Sequence, residues 1–582
     1  MNRPRQFHRL LFADACAHGP PGELPTPLAL VLHDADTGER VLIGAADCQA
    51  AWSDAVDADT LVVCLDAENV GKALTCWGLP RPRHLVDLGV EARMHLNGLT
   101  PSSIADTVLA LTRFGVARAP LIHDVMLERK LHGHALDDDD YRRVVALIHT
   151  RLDCTLDLWA AMGDIDLAHA LLRGRYLKTV ATTGLRGLPV DASTLAALDT
   201  HHVELLHAAV ATAPSAPDGI GFYVHTADGV KFRASALRHI AQHDPDWPAD
   251  EDGQVSLANK ALDAVEAWHP ELRGLAVAHR RVDGLMYRTL PVGSDSRHRY
   301  AQRPFASTTG RNQPLGREAL PMQAKWRRNM VVAPPGRSLI VVDYSSEELA
   351  IAAALSGDEL MQQVYAAEDS YIRLGQLVGA IPAGATKESH PRDRGIFKVV
   401  SLAVQYGGGP GMVAKATGLS LQDASELLAR HHRMFQRFWA WSEAAVNEAL
   451  LTSKLQTVFG WQRQVEAGTS VRTLRNFPAQ ANGGEILRLA AIGIAEAGLD
   501  LCATIHDACV VEAADNDVDA VAAAVKHHMV NAGKVVLGGF ELKVDTQVVR
   551  TGRRWRQSAA GEDIWRWVVQ QLHFVGVDVP DP

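Results

Sequence analysis

Two aspartates, each closing a short apolar run, are the residues of this sequence best placed to do chemistry. The β-branched run at 338–342 ends on Asp343; the run at 501–505 ends on His506 and Asp507, and apolar sequence resumes at 509–512. Carboxylates delivered by neighbouring strands can hold a pair of Mg²⁺ ions about 4 Å apart, one activating an attacking oxygen and the other steadying a leaving oxygen. Magnesium accepts an incomplete protein shell when phosphates complete it. A turn-capping role is the ordinary fate of a strand-end aspartate, so neither acid carries the reading alone. A second pattern lies at 391–409, PRDRGIFKVVSLAVQYGGG, where Arg394, Lys398, Leu402 and Tyr406 recur every four residues. On a helix these four share one slowly turning face. Two cations at its start suit a triphosphate, the aromatic further along suits a base, and the glycines at 407–409 end the helix. An amphipathic helix with solvated cations is the plain alternative, because Arg-x-x-x-Lys is common by chance.

The elements that must position these groups are partly visible. Pro334-Pro335-Gly336 introduces the strand that ends at Asp343, and an alanine-rich helix follows it. In the first half, strand-like runs occur at 28–32 and 61–65. Residues 141–162 carry Val144, Val145, Ile148, Leu152 and Leu156 at helical spacing. Together these predict an α/β unit of about 165 residues. From 166 to 300 the sequence is mostly helical and alanine-rich, broken by Pro/Asp/Gly clusters near 214–219 and 244–253. The four aspartates at 137–140 read as an exposed loop or the start of a helix.

The chain has 582 residues, which at roughly 100–200 residues per domain implies about three to five domains or lobes. Hydrophobic residues at 47% and charged residues at 22% exclude fibrous, collagen-like and wholly disordered classes. The formal net charge of -10 argues mildly against a nucleic-acid partner. Its distribution argues otherwise: residues 1–300 hold 29 basic and 39 acidic side chains, while residues 301–582 hold 29 of each. Within 303–337, seven basic residues (Arg303, Arg311, Arg317, Lys325, Arg327, Arg328, Arg337) accompany one acid, Glu318. That stretch is either a locally positive surface or an ordinary solvated face. The seven cysteines are dispersed and form no Cys-x-x-Cys, which fits a reducing compartment and no structural zinc. Adjacent histidines (201–202, 431–432, 527–528) do not share a helix face and read as surface residues rather than ligands. No apolar run suits a signal peptide or a membrane span, so a cytoplasmic location is expected.

VVDYSSEELA (341–350), RDRGIFKVVSLAVQYGGG (392–409) and TIHDACVVEA (504–513) resemble, in order and spacing, motifs A, B and C of the family-A DNA polymerases. The bacteriophage type is the nearest resemblance, with aliphatic Leu402 on the fingers helix. FASTTGRNQ (305–313) and VRTLRNFPAQANGGEI (471–486) resemble two further segments of that family. The resemblance implies an α/β right-hand polymerase with palm, fingers and thumb, preceded by an RNase H-like, exonuclease-type domain. Its expected divisions are 1–165 exonuclease-like, 166–300 thumb, 301–356 first palm segment, 357–455 fingers and 456–582 second palm segment. It implies primer-dependent, template-directed synthesis from dNTPs in DNA replication. Expected partners are primer-template DNA, dNTPs and replication accessory proteins, with no membrane, and a monomer is expected.

Residue by residue, Asp343 and Asp507 would hold two Mg²⁺ ions, with Mn²⁺ as a substitute and the carbonyl of Tyr344 as a further ligand. Arg394 and Lys398 would bind the triphosphate, with Lys398 also protonating the departing pyrophosphate. Leu402 and Tyr406 would pack near the nascent pair, and Glu348 would exclude a ribose 2′-OH. His506 would touch the primer terminus. Arg311, Arg472, Asn476 and Gln480 would line the duplex, and Lys325, Arg327 and Arg328 would meet backbone phosphates. Departures from the pattern are Ser346-Glu347, Ala350 and, in motif C, Ala508 where a second acid is usual. In the N-terminal unit the acidic motifs are eroded: Asp14-Ala15-Cys16 replaces an acid pair, Val70 replaces an acid, and His149 precedes Asp153 where a tyrosine is usual. Two carboxylates of four predict a catalytically dead nuclease, with Asp34 and Asp36 or Asp66 and Glu68 as the alternative acids. Competing readings of the whole are a non-catalytic DNA-binding scaffold, a metal nuclease, and a single-subunit RNA polymerase, the last disfavoured by Glu348.

Overall fold

A computed structural model describes residues 4, 6–99, 107–249, 254–286, 290–315, 319–320, 325–556 and 559–580. Arg317, Glu318 and part of the 244–253 cluster lie outside the described residues.

The N-terminal unit is built on a five-stranded sheet ordered Arg40–Ile43, Thr26–Asp34, Arg9–His18, Thr60–Cys64, His84–Asp87. The first three strands run antiparallel and the last two continue in parallel. Thr60–Cys64 is buried at every position, as a parallel strand covered on both faces must be. The outer strands have four residues each, too few for a periodic signal. The aspartate run starts a helix, Asp138–Met162. Asp137 and Asp140 form a reciprocal capping box, with further acids in the first turn, where the helix dipole favours negative charge.

The next helix, Leu167–Arg186, belongs to two cores. It lies against His84–Asp87 and against Ala67–Cys76 on one side, and against Val471–Glu496 on the other. Its Tyr176, Leu177 and Val180 join Trp52 and Val62 of the first unit to Ile340, Leu474 and Val511 of the last in one apolar cluster. The expected division at 165/166 therefore falls in the link just before a shared helix. Two features fix the seam. Arg173 donates from Nε and Nη2 to both oxygens of Glu91 at 2.6 Å, and from Nη1 to the Phe459 carbonyl at 3.2 Å. Gly174 lets the helix touch the strand, since a Cβ there would sit 1.8 Å from the Leu85 carbonyl oxygen.

The last part of the chain forms an antiparallel sheet ordered Asp500–Ile505, Ala508–Ala514, Arg337–Tyr344, Val544–Val549. Side chains of the central strand alternate between faces. Ile340, Val342 and Tyr344 enter the cluster shared with Val471–Glu496 and Val518–Val536. Leu339 and Val341 enter a second cluster with Trp326, Trp565 and the helices of 188–290. Asp343 follows Leu339 and Val341 on this second face, at the end of the strand. The C-terminal helix Ala559–Phe574 also serves that cluster: Trp565 stacks on Trp326 at 6.3 Å, and nearby Arg554 pairs with Asp191 at 2.6 Å.

Residues 347–452 form a helical lobe with its own core, in which Phe397 and Val400 of helix Pro391–Gln405 pack with Phe435, Phe438 and Trp439. Within it the expectation for the histidine pairs fails. Consecutive residues on a helix point about 100° apart, so one of a pair can face inward. His431 is buried among Phe435, Phe438 and Trp439, and burial pushes it down to about 3, while His432 stacks on Trp439 at 4.0 Å. His202 is likewise buried. Among the described residues, no helix is long and apolar enough to cross a membrane.

Because the seam has no room at Gly174, Gly174→Ala is expected to destabilise the chain by at least about 1–3 kcal/mol. Urea unfolding followed by tryptophan fluorescence measures this. An unchanged midpoint would mean that the helix does not seat on the strand as described.

Candidate active site

The central strand brings the two sequence-selected aspartates together. Asp343 pairs in register with Ala508, so Asp507 lies in the turn beside it. The two carboxylates are close enough to share a hydrogen bond. Partial burial, then the charges of Asp507 and Asp545, push Asp343 up to about 7, opposed by Arg328. His506 and Asp507 are the whole loop between paired Ile505 and Ala508. His506 occupies it with φ 58°, and Ser346, three residues past Asp343, has φ 52°. Left-handed backbone at non-glycine residues is costly and collects at functional sites. The acids open on a cleft of about 500 Å³ lined also by Lys325, Arg328, His506, Asp545 and Trp555. Tyr344 turns its side chain away, its hydroxyl donating to the Met529 carbonyl at 2.7 Å.

The helix that follows, Glu347–Ser356, separates its two leading acids. Glu348 faces Tyr406, whose hydroxyl donates to its carboxylate, and Gln405 Nε2 donates to the Glu348 carbonyl at 3.0 Å. Tyr406 is raised by burial and by Glu348, with Gln480 within hydrogen-bonding reach. Glu347 is buried beside Arg311, at 3.5 Å, and burial raises it to about 8 against the pull of that arginine. Gly483 of the long helix makes room, since a Cβ there would lie 3.0 Å from both Arg311 and Glu347.

Helix Pro391–Gln405 carries Arg394, Lys398 and Leu402, and Tyr406 caps it. Lys398 is exposed and Leu402 half-buried. Arg394 is engaged: its Nε donates to Asp369 at 2.5 Å and its guanidinium lies 5.4 Å from the Tyr371 ring. Asp369 was not singled out by sequence, where it reads as a helix cap, and it does cap Ser370–Leu377 through the Tyr371 and Ile372 amides. On Val471–Glu496, Arg472, Asn476 and Gln480 share an accessible face while Leu474, Phe477 and Ala481 face the core. The Asn476 Oδ1 is buried and has no hydrogen-bond partner among the described residues.

Of the cations expected at phosphates, Lys325 and Arg328 line the cleft, but Arg327 does not. Arg327 is buried at 2% exposure, packs over Trp326 at 5.2 Å, and is lowered to about 10 by burial. The 325–330 segment turns tightly, so the neighbours Arg327 and Arg328 diverge.

In the N-terminal unit every candidate acid is already bonded. Arg151, inside the HTRLD segment, donates from Nε to buried Asp14 at 2.6 Å, while burial holds Asp14 raised at about 6. Asp153 pairs with Arg40 and with Arg118, the latter at 3.0 Å. Asp34 pairs with Arg9 at 2.8 Å, Glu68 with Lys72 at 2.6 Å, and Asp66 caps Ala67–Cys76. Of these groups, Asp14, Arg151, Asp66, Glu68 and Lys72 border a cavity of about 640 Å³.

Residues 313–557 match the family model described as DNA polymerase family A. The chain is similar to "DNA polymerase I, thermostable" of Thermus filiformis, 27% identical over 247 residues, covering 40% of this chain and 28% of that protein. It is similar to the DNA polymerase of Mycobacterium phage D29, 28% identical over 208 residues, covering 35% of this chain and 34% of the relative. DNA polymerase I of Aquifex aeolicus is 23% identical over 458 residues, 74% of each chain. The matched stretch thus spans under a third of the Thermus relative. Among solved structures, the POL domain of Pol1 from M. smegmatis, in complex with DNA primer-template and dNTP, is similar in fold. It has a TM-score of 0.72 at 20% identity and covers 93% of this chain and 95% of that chain.

Glu347 gives the site a measurable signature. It keeps its proton in the folded chain up to about pH 8 but loses it near 4.5 when unfolded. The native state then holds one more proton across that window, and stability falls as pH rises through it. Glu347→Gln is expected to flatten that part of the pH dependence in urea unfolding between pH 5 and 8. An identical slope in both proteins would mean that Glu347 is ionised against Arg311.

Proposed function

We propose that this chain, which carries a DNA polymerase family A domain over residues 313–557, extends a DNA primer on a template from dNTPs, in phage-type replication and without proofreading. The observation that carries the reading is the meeting of Asp343 and Asp507, from distant segments, at one end of a sheet and at the mouth of a cleft.

Paired hard oxygen donors, one raised to about 7 by burial and then by the charge of its neighbour, suit a divalent cation. Among the described residues, no three acidic, histidine or cysteine side chains enclose an ion by themselves, and Mg²⁺ characteristically completes such a shell with phosphates and water. Asp343, Asp507 and the Tyr344 carbonyl would hold two Mg²⁺ ions, with Mn²⁺ as a substitute. When bound, these ions lower the proton affinity of the primer 3′-oxygen and offset charge on the leaving pyrophosphate.

The chain's own groups do the rest. Lys398, exposed on its helix, meets the triphosphate and can give a proton to the pyrophosphate. Arg394 joins it by sharing or leaving Asp369. Glu348, steered by Tyr406, stands where a ribose 2′-OH would come, and discrimination follows from shape and from leaving that carboxylate badly paired. Leu402 and Tyr406 pack against the nascent pair. His506 contacts the primer end, and Arg311, Arg472, Asn476 and Gln480 read the minor groove by shape, where the pattern of donors and acceptors is degenerate. We assign 166–300 to the thumb, 357–455 to the fingers and the antiparallel sheet to the palm. Replication accessory proteins and a monomeric state complete the proposal.

Absence of proofreading rests on the arginines. Arg151 places a fixed cation on Asp14, and Arg40 and Arg118 do so on Asp153, so the acids that would bind metal are neutralised from within.

On a primed template with Mg²⁺ and separate dNTP or rNTP pools, wild type is expected to extend with dNTPs. Asp343→Asn is expected to lose at least about 10²–10³-fold in kcat; undiminished extension by that variant sinks the metal-site assignment. A mismatched 3′ end is expected to survive incubation without dNTPs. Trimming that disappears in Asp14→Asn would overturn the dead-nuclease reading.

A further inference from the structure

Asp545 stands directly across from Asp343. The central strand pairs Asp343 with Asp545 on one side and with Ala508 on the other. Residues opposite one another in an antiparallel pair share a face, with Cβ atoms about 4.5–5.5 Å apart, and like charges so placed repel. Aspartate is also disfavoured within strands. Strand formation therefore gives no reason for an acid here, at the lip of the cleft that also holds Asp507, Lys325 and Arg328. The carboxylate is aimed, too. Ser345 Oγ donates to Asp545 Oδ2 at 2.5 Å, while the Ser345 amide donates to the Lys543 carbonyl at 3.0 Å, tying the two strand ends together. Ala508 is where the motif-C resemblance expects a second acid, and its methyl group supplies no charge.

We propose that Asp545 provides, from the neighbouring strand, the third carboxylate that Ala508 leaves out, strengthening cation binding at Asp343 and Asp507; this rests on the metal-site reading above. Asp545 is a positioning residue that acts by its charge and through water. The strand swap leaves Asp343 flanked by acid on both sides, with Asp507 in the turn beyond Ala508 and Asp545 on the facing strand. Repulsion that weakens the empty site becomes attraction when a divalent ion enters.

The test uses the full-length protein without DNA or nucleotide, titrated with Mn²⁺ and followed by electron paramagnetic resonance, with thermal unfolding measured with and without Mg²⁺. Asp545 is exposed, so Asp545→Asn preserves shape and packing. It is expected to weaken Mn²⁺ binding about tenfold, to raise the metal-free Tm, and to shrink the Tm gain that Mg²⁺ produces. Adding Ala508→Glu to Asp545→Asn is expected to restore Mn²⁺ affinity. If Asp343→Asn and Asp507→Asn abolish Mn²⁺ binding while Asp545→Asn leaves it unchanged, the role of Asp545 is overturned and the metal site stands. If all three variants bind Mn²⁺ as wild type does, the metal-site reading itself fails.

Discussion

Repulsion between carboxylates at one end of the C-terminal antiparallel sheet is the constraint around which the rest of the chain is organised. Asp343 and Asp507 would separate if their strands were free. They are kept together because residues 339–342 are buried on both faces, half against the cluster of the long helix and half against the Trp326 and Trp565 cluster. Both turns next to the acids, at Ser346 and His506, also hold non-glycine residues in the left-handed region. Hydrophobic burial is non-directional and scales with area, so a sandwiched strand can force polar groups into a geometry that they would not choose.

Side chains reaching that end of the sheet arrive through paired roles. Asp369 both caps a helix and holds Arg394. Tyr406 closes its own helix and steers Glu348. Gly483 gives up a side chain so that Arg311 and Glu347 can meet. Orientation in each case comes from a neighbour whose position is set by backbone structure, which keeps long polar side chains in place without a deep pocket.

What was legible in the sequence follows from geometry. Asp343 and Asp507 stood out because a short apolar run that stops at an acid needs no long-range information. Arg394, Lys398, Leu402 and Tyr406 stood out because period four survives in one dimension. Adjacent residues defeated the reading. Glu347 and Glu348, Arg327 and Arg328, and His431 and His432 are chemically alike but point in different directions, and only tertiary packing selects which way each one faces. Asp545 was invisible for another reason: its strand is mostly accessible, and its importance comes from a register partner some two hundred positions away. In the N-terminal unit the eroded acids were apparent, whereas their arginine partners Arg151, Arg40 and Arg118 required the fold.

The helix Leu167–Arg186 makes the first unit structurally inseparable from the C-terminal sheet and its long helix. The acids Asp14 and Asp153 and their arginine partners could be changed with few substitutions. Loss of the first unit would strip one side of a helix that the C-terminal part also uses, leaving Tyr176, Leu177 and Val180 without half of their cover and Arg173 without Glu91. Chemistry and architecture are thus decoupled in this unit: substitutions at its acids can change what it does one residue at a time, while the shared helix ties its fold to that of the rest of the chain.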